Sequence, residues 1–249
     1  METSEDYNMK KIFCIFIFML IFPNYVFGES RYGIYTPQNL KNIESTNSQE
    51  KILFIVDFSN SMNEYLEGEK KIETAIRVLS SIISRLNPEI YTGLRVYGHR
   101  GAFNSLLGCT ASDLVTPILP KNNKNIMNSI SNVKATGWTP ITYSLKKAVN
   151  NDFAGIQGQK RIILLTDGGE NCDESPCEYA LKLISERDDI KIDVIAFAIN
   201  DEDADKQLKC TALATYGKFY KANTSAALMN SLEQSLNITK DVQGVIIKK

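Results

Sequence analysis

The sequence contains a single histidine, His99, and this scarcity limits the chemistry open to the chain. A histidine-based zinc site or a serine–histidine–aspartate triad would have to use that one imidazole. The formal net charge is -1 and the basic residues are scattered, which argues against nucleic-acid binding. The sequence also lacks a GxxxxGK(S/T) loop, a GxGxxG motif and a GxSxG elbow. We therefore expect neither a nucleotide nor a nucleic acid as ligand.

The N-terminal segment has the pattern of a secretory signal. Two lysines precede an uninterrupted apolar run over residues 12–22, and Gly28 closes a cleavage site of small and medium side chains. The run is shorter than the about 20 residues of a membrane-spanning helix, which favours a signal that is cleaved. The alternative is an uncleaved N-terminal anchor, and we expect no other attachment to a membrane. We expect residues 1–28, starting at Met1 or Met9, to direct export, with the protein periplasmic, secreted or at the cell surface.

Cysteine is also scarce, since one of the five lies in the signal and four follow it. An even number of cysteines in an exported chain predicts two disulfides with three possible pairings, whereas a cytosolic protein would keep them free and buried. Their spacing does not form the CxxC pairs of a zinc ribbon. The four cysteines are Cys109, Cys172, Cys177 and Cys210.

Patterns typical of strands and helices alternate through the middle of the chain. Short apolar runs predict strands at 51–56, 91–97, 113–118, 161–166, 191–198 and 218–220. Helical spacing predicts helices at 70–86, 122–133, 139–150, 176–187, 204–215 and 225–236. This alternation predicts an α/β three-layer sandwich with a doubly wound, mostly parallel sheet. The second and third strands lack a helix between them, so we expect one antiparallel edge strand.

A chain of 249 residues with 43% hydrophobic residues is long enough for one domain with extensions. We expect a polar linker at 29–49, the folded domain at 50–236 and a tail at 237–249. For the tail, an edge strand over 242–247 is the alternative.

Three polar loops are predicted at one edge of this sheet. Asp57-Phe58-Ser59-Asn60-Ser61 follows the first strand, and Thr166-Asp167-Gly168-Gly169 follows the fourth. Thr136-Gly137-Trp138-Thr139-Pro140 leads into a helix, for which Thr139 has the pattern of an N-cap before a proline at the first helical position. Because ligands of open parallel sheets bind at the carboxyl ends of the strands, we expect a binding site here.

The loops offer two carboxylates and three hydroxyls, all of them hard oxygen donors that suit a small divalent cation. Residues two apart after a strand point the same way, so Asp57, Ser59 and Ser61 are expected to face one point. Because hydroxyls are neutral, such a cation would remain electrophilic and would accept a further carboxylate from a partner.

Together the three loops resemble the metal-ion-dependent adhesion site of von Willebrand factor A domains in order, spacing and predicted context. The resemblance implies this fold over residues 50–236 and a bound divalent cation, Mg²⁺ first and Ca²⁺ or Mn²⁺ as alternatives. It implies Ser59, Ser61 and Thr139 as direct ligands. It further implies that Asp57 and Asp167 bind the cation directly or through water.

Other segments resemble a bacterial exported subgroup of that family: Gly93 to Arg100, Cys109 with Asp113, Thr166 to Cys172 with Cys177, and Cys210 before Gly217. The resemblance implies an adhesion-type module, not an enzyme, that engages an Asp or Glu of a protein partner. One alternative is an assembly subunit of an envelope complex, in which the cation only rigidifies loops. Another is a metal-assisted hydrolase with Ser59 or Ser61 as nucleophile and His99 as its base.

Four residues near the loops have two interpretations each. His99 either flanks the cation or makes local hydrogen bonds, and we expect the latter. Trp138 is either an exposed contact or a packed loop aromatic. Glu170 and Asp173 either tune the site or are ordinary solvated charges, and we expect solvated charges.

The predicted helices also favour one disulfide pairing. Cys177 begins the helix after the fourth strand and Cys210 lies in the helix after the fifth, and these helices should be neighbours. We therefore expect Cys177–Cys210, which leaves Cys109–Cys172 on loops at the edge that carries the site.

Overall fold

The computed structural model of the chain describes residues 50–101 and 104–238. The strands are β1 Lys51–Asp57, β2 Tyr65–Leu66, β3 Glu69–Lys70, β4 Tyr91–Tyr97, β5 Ser112–Leu119, β6 Lys160–Thr166, β7 Ile190–Phe197 and β8 Phe219–Ala222. The helices are α1 Lys71–Arg85, α2 Ser105–Gly108, α3 Asn123–Ile130, α4 Ile141–Lys147, α5 Pro176–Glu186, α6 Glu202–Ala214 and α7 Ser225–Ser235. The expected signal at 1–28, the linker at 29–49 and the alternative strand at 242–247 lie outside the described residues.

The main sheet has six strands in the order β5-β4-β1-β6-β7-β8. All neighbours are parallel except β4 and β5, which confirms the predicted antiparallel edge. The chain moves outward from β1 to β4 and β5, and then crosses back to β6 on the other side of β1. This reversal opens a crevice at the carboxyl end of β1, where ligands of such sheets bind.

Helices cover both faces of the sheet, so the predicted three-layer α/β sandwich is confirmed. The side chains of β1 alternate between two apolar clusters, with Phe54 in one and Ile55 in the other. Helices α1, α3 and α7 pack on the first face, and α4, α5 and α6 pack on the second. A strand buried on both faces has to be apolar at nearly every position, which explains the run Ile52–Val56.

Several local features differ from the sequence predictions. The short hairpin β2–β3 and the four-residue helix α2 were not predicted, and α3 ends at Ile130 rather than at 133. The prediction of Thr139 as a helix cap was wrong, because α4 begins at Ile141 without a side-chain cap from the preceding residue. A carboxylate from another loop meets this helix end instead, since Glu170 Oε2 accepts the Thr142 N–H at 2.7 Å.

Two disulfides connect elements that are far apart in the sequence. Cys177–Cys210 joins α5 to α6, and Cys109–Cys172 joins the end of α2 to the loop after β6. These are the pairs that the sequence analysis expected. Disulfides of this kind are typical of oxidising compartments. No helix in the described part of the chain combines the length and the apolarity that crossing a bilayer requires.

A buried ion pair connects β4 to the helical turn that follows α4. Arg95 Nε and Nη2 donate to the Asp152 carboxylate at 2.6 and 2.7 Å, and Arg95 Nη1 donates to the Ser112 hydroxyl at 3.0 Å. The two charged side chains are only 4% and 2% exposed. Loss of either partner would leave an uncompensated charge in the interior.

We expect Asp152→Ala to lower the free energy of unfolding by about 3–5 kcal/mol, because it leaves the Arg95 guanidinium buried without its carboxylate. Urea unfolding followed by circular dichroism measures this loss. The control is Arg77→Ala, which removes a pair with Glu69 whose side chains are 56% and 34% exposed. That control should cost less than about 1 kcal/mol. If both variants lost the same free energy of unfolding, the buried pair would contribute no more to stability than the exposed one, which would contradict the prediction.

Replacing both Cys177 and Cys210 with serine should lower the free energy of unfolding by roughly 2–4 kcal/mol, because the unfolded chain regains the freedom of the closed loop. Chemical denaturation under non-reducing conditions measures the change. A double variant as stable as the parent would be inconsistent with the link between α5 and α6.

Candidate metal-binding site

The three polar loops meet at the carboxyl end of β1 and β6. Asp57 ends β1, and Asp167 directly follows β6, its neighbour in the sheet. The loop before α4 lies against the first loop through a parallel bridge between Ser59 and Gly137. Asn60 N–H donates to the Gly137 carbonyl at 2.9 Å. The structure thus brings together the loops that the sequence analysis singled out.

Two glycines allow this close approach of backbones. A Cβ on Gly98, whose φ is +70°, would lie 2.6 Å from both Ser59 N and Trp138 O. A Cβ on Gly137 would lie 2.6 Å from Arg100 O. Any side chain at these positions would therefore separate the loops that carry the candidate ligands.

A chain of hydrogen bonds runs through the candidate ligands. Ser61 Oγ donates to Asp167 Oδ1 at 2.7 Å, and Ser59 Oγ lies 3.0 Å from Ser61 Oγ. Because Ser61 has one hydroxyl proton and gives it to Asp167, Ser59 is the donor in the second bond. Asp57 is fully buried and accepts the Ser59 N–H on Oδ1 and the Thr166 hydroxyl on Oδ2, both at 2.7 Å.

The burial of two neighbouring carboxylates has a clear electrostatic effect. Burial, followed by the charge of Asp167, raises the pKa of Asp57 to about 7, although hydrogen bonds from Ser59 and Thr166 oppose the shift. Burial also raises the pKa of Asp167, against the hydrogen bonds from Ser61 and Lys71. Burial and the nearby Asp57 raise the pKa of the Tyr97 phenol well above its ordinary value, so it remains neutral. A divalent cation would relieve the cost of ionising both carboxylates.

Thr139 is held in place by the loop after β6. It is 4% exposed, and its N–H donates to Asn171 Oδ1 at 2.7 Å. The neighbouring Glu170 accepts hydrogen bonds from the N–H groups of Thr142 and Cys172. It therefore connects the start of α4 to the loop after β6. The expectation that Glu170 is an ordinary solvated charge was wrong, because its side chain is partly buried and burial raises its pKa.

Lys71 is the charged residue beside the site that the sequence analysis missed. Its Nζ lies 3.0 Å from Asp167 Oδ2 and 2.7 Å from Glu64 Oε2, and the residue is 7% exposed. Burial lowers the pKa of Lys71, but hydrogen bonding to Glu64 and the charge of Asp167 outweigh this and raise it. The sequence holds no local sign of this contact, since Lys71 is one of two adjacent lysines before the apolar face of α1.

The other flanking residues take local roles. His99 Nε2 lies 2.8 Å from Asp113 Oδ2, which agrees with the expected local hydrogen bond, and burial lowers the pKa of His99. Trp138 is partly buried against Gly108, where any Cβ would overlap the indole ring. It is therefore a packed loop aromatic. Asp173 is exposed, as expected for a solvated charge.

The residues present suit a hard divalent cation. Across the two described ranges, no three His, Cys, Asp or Glu side chains are grouped so that they could hold a metal ion by themselves. A cation at this edge would therefore depend on hydroxyl oxygens beside the two aspartates. Small divalent cations accept such oxygen donors and fill the remaining positions with water.

Comparison with known proteins identifies the family of this fold. The model of the von Willebrand factor type A domain matches residues 51–234. Protein YwmD of Bacillus subtilis (strain 168) is 29% identical over 179 residues, which cover 70% of this chain and 79% of YwmD. Protein YwmC of the same organism is 29% identical over 206 residues, covering 79% of this chain and 89% of YwmC.

Solved structures with the same fold are more distant in sequence. Proximal thread matrix protein 1 of the mussel byssus superimposes with a TM-score of 0.58 at 20% identity, over 76% of this chain and 46% of that chain. A von Willebrand factor type A structure from Catenulispora acidiphila superimposes with a TM-score of 0.59 at 19% identity, over 75% of this chain and 42% of that chain. The chain thus spans less than half the length of these two proteins. By the match of the family model, the chain belongs to the von Willebrand factor type A domain family.

Proposed function

We propose that the protein is an exported, non-enzymatic binding module with an intact metal-ion-dependent adhesion site. In this proposal a divalent cation held at the three loops engages an Asp or Glu of a protein partner. The observation that carries it is the hydrogen-bonded chain from Ser59 through Ser61 to Asp167, beside the buried Asp57. Two buried carboxylates with hydroxyls between them form a donor set that a cation would complete.

Each candidate ligand has a proposed role. Ser59, Ser61 and Thr139 are direct ligands through their hydroxyl oxygens, and Asp57 and Asp167 bind directly or through water. When bound, the cation supplies a positive centre with a coordination position open to a carboxylate oxygen. We propose Mg²⁺ first, because all five side chains are hard donors, with Ca²⁺ or Mn²⁺ as alternatives. Zinc belongs among the ions to test, because a structure of the mussel protein has a zinc-occupied site of this type.

Two observations support export as part of the proposal. The disulfides Cys109–Cys172 and Cys177–Cys210 suit an oxidising compartment, and the N-terminal sequence has the pattern of a signal. Some structures of the same fold belong to surface proteins, such as the pilus adhesin SpaC of Lactobacillus rhamnosus GG. We extend the same location, in a bacterial envelope or outside it, to this chain.

The contacts of the candidate nucleophiles favour binding over hydrolysis. The single histidine uses Nε2 to bond with Asp113, and its Nδ1 is buried without a hydrogen-bond partner among the described residues. Ser59 donates its hydroxyl proton to Ser61, and Ser61 donates its own to Asp167. His99 forms no hydrogen bond with either serine among the described residues, so the serine–histidine pair that the hydrolase alternative requires is not formed.

We expect Mg²⁺ to stabilise the purified domain, by roughly 5–10 °C in melting temperature at a concentration one hundred times its Kd. Asp57→Asn and Thr139→Val should remove this gain and abolish the heat of binding in titration calorimetry. Asp57→Asn should still fold, because its amide can donate to Thr166 Oγ1 while that hydroxyl donates to the Gly168 carbonyl at 2.8 Å.

The matched control is Asp173→Asn, which removes one exposed carboxylate from the same edge of the sheet. It should bind Mg²⁺ as the parent does. Absence of binding to Mg²⁺, Ca²⁺, Mn²⁺ and Zn²⁺ by a folded parent would overturn the proposal.

Binding of a partner should require the cation. We expect a protein captured from the cell envelope in Mg²⁺ to dissociate in EDTA and not to bind Thr139→Val. Substitution of one of its Asp or Glu residues with Asn or Gln should abolish capture, because the bridge loses its carboxylate. Capture that persists in EDTA would instead support an assembly subunit in which the cation only rigidifies loops.

A further inference from the structure

Lys71 gives the site a fixed positive charge that the proposed role of the ligands does not use. Lys71 is the first residue of α1. Its side chain reaches the loop after β6, where Nζ lies 3.0 Å from Asp167 Oδ2. The Asp167 side chain is fully shielded from solvent, whereas the Glu64 side chain on the other side of the ammonium is 65% exposed. Solvent screens the charge of Glu64, so Asp167 is the stronger electrostatic partner of Lys71.

Both oxygens of Asp167 are already engaged. Oδ1 accepts the hydroxyl proton of Ser61 at 2.7 Å, and Oδ2 accepts from Lys71. Each oxygen keeps a second lone pair, but direct binding through Oδ2 would place the cation beside the ammonium of Lys71, and the two positive charges would repel each other in a buried environment. To act through Ser61, the carboxylate needs no movement at all. The geometry therefore favours an indirect role in which Asp167 polarises the hydroxyl of Ser61.

We propose that Lys71 is a built-in counter-charge that holds Asp167 out of direct contact with the cation, so that the site favours a cation together with a carboxylate over a cation alone. This inference rests on the proposed function and specifies how the same site selects its ligand. Lys71 is a positioning residue, because it acts through Asp167.

The charge balance explains the selectivity. Asp57 and Asp167 alone would neutralise a divalent cation, and the loaded site would gain little from a further anion. Among the buried groups, the loaded site retains one positive charge when Lys71 is present, because the exposed Glu64 is screened by solvent and offsets that charge only in part. An incoming carboxylate then removes an uncompensated charge, whereas a neutral ligand or water does not. The same lysine repels a cation that arrives alone.

The test compares the parent with Lys71→Gln, using Mn²⁺ as the probe cation and acetate as the probe carboxylate. Glutamine removes the charge and retains a hydrogen-bond donor on a slightly shorter side chain. Calorimetry in chloride buffer should show Mn²⁺ binding about tenfold tighter in the variant, because one repulsive charge is lost. Replacing chloride with acetate should tighten Mn²⁺ binding in the parent and have less effect in the variant. A merely structural lysine would give the opposite sign, since a loosened site binds the cation more weakly.

Lys70→Gln is the matched control. It removes the same charge from the adjacent residue, which forms no ion pair with any residue in the described part of the chain. We expect less than about a twofold change in the Mn²⁺ affinity of this control, because solvent screens its charge. If Lys71→Gln does not fold, Glu64→Gln provides a second route. That variant leaves Asp167 as the remaining anion of Lys71 and should weaken Mn²⁺ binding by about threefold, and an unchanged affinity would count against the proposal.

The outcomes separate this inference from the proposed function. If the parent and a folded Lys71→Gln bind Mn²⁺ equally, or the variant binds more weakly, the counter-charge role is overturned and the metal site stands. If only the variant binds Mn²⁺, Lys71 neutralises the aspartates of the parent in place of a cation. The counter-charge role is then supported and the proposed function is overturned. If neither binds while both are folded, both proposals fail.

Discussion

The burial of two carboxylates at one end of the sheet is the constraint on which the arrangement of this edge depends. Asp57 is completely buried, and the side chain of Asp167 is shielded from solvent as well. Ionised carboxylates in such a place require hydrogen bonds or opposite charge. The hydroxyls of Thr166 and Ser61, the N–H of Ser59 and the ammonium of Lys71 supply them. The pKa of Asp57 is nevertheless raised to about 7, because these contacts do not offset the full effect of burial and of the neighbouring Asp167.

The loops around the carboxylates are held rigid by contacts of several kinds. Gly98 and Gly137 let three backbones come close, and Glu170 and Asn171 connect the loop after β6 to the start of α4. The disulfide Cys109–Cys172 anchors the far end of the same loop. If the edge binds a cation as proposed, each neutral hydroxyl would contribute little attraction, and a geometry fixed in advance would lower the cost of binding.

The sequence predicts the fold well because the informative patterns are local. A strand such as β1, buried on both faces, is a continuous apolar run. Because Asp57, Ser59 and Ser61 directly follow this strand, they lie at the edge of the sheet where the parallel strands end. The contacts that it does not predict join residues far apart in the chain. Lys71 and Asp167 are 96 positions apart, and Glu170 meets Thr142 across 28. A lysine or glutamate has the same appearance in a sequence whether it is solvated or buried in an ion pair.

The error at Thr139 has a related cause and bears on function. A threonine before a proline has the local pattern of a helix cap, but Glu170 takes the place of such a cap at Thr142. The Thr139 side chain therefore does not serve as a helix cap, although the residue is only 4% exposed in this loop. A cation held by such hydroxyls, with Asp167 paired to Lys71, would bind weakly by itself. Weak intrinsic affinity is tolerable, because occupancy depends only on the ratio of free cation to Kd, and the charge that remains is then available to a partner's carboxylate.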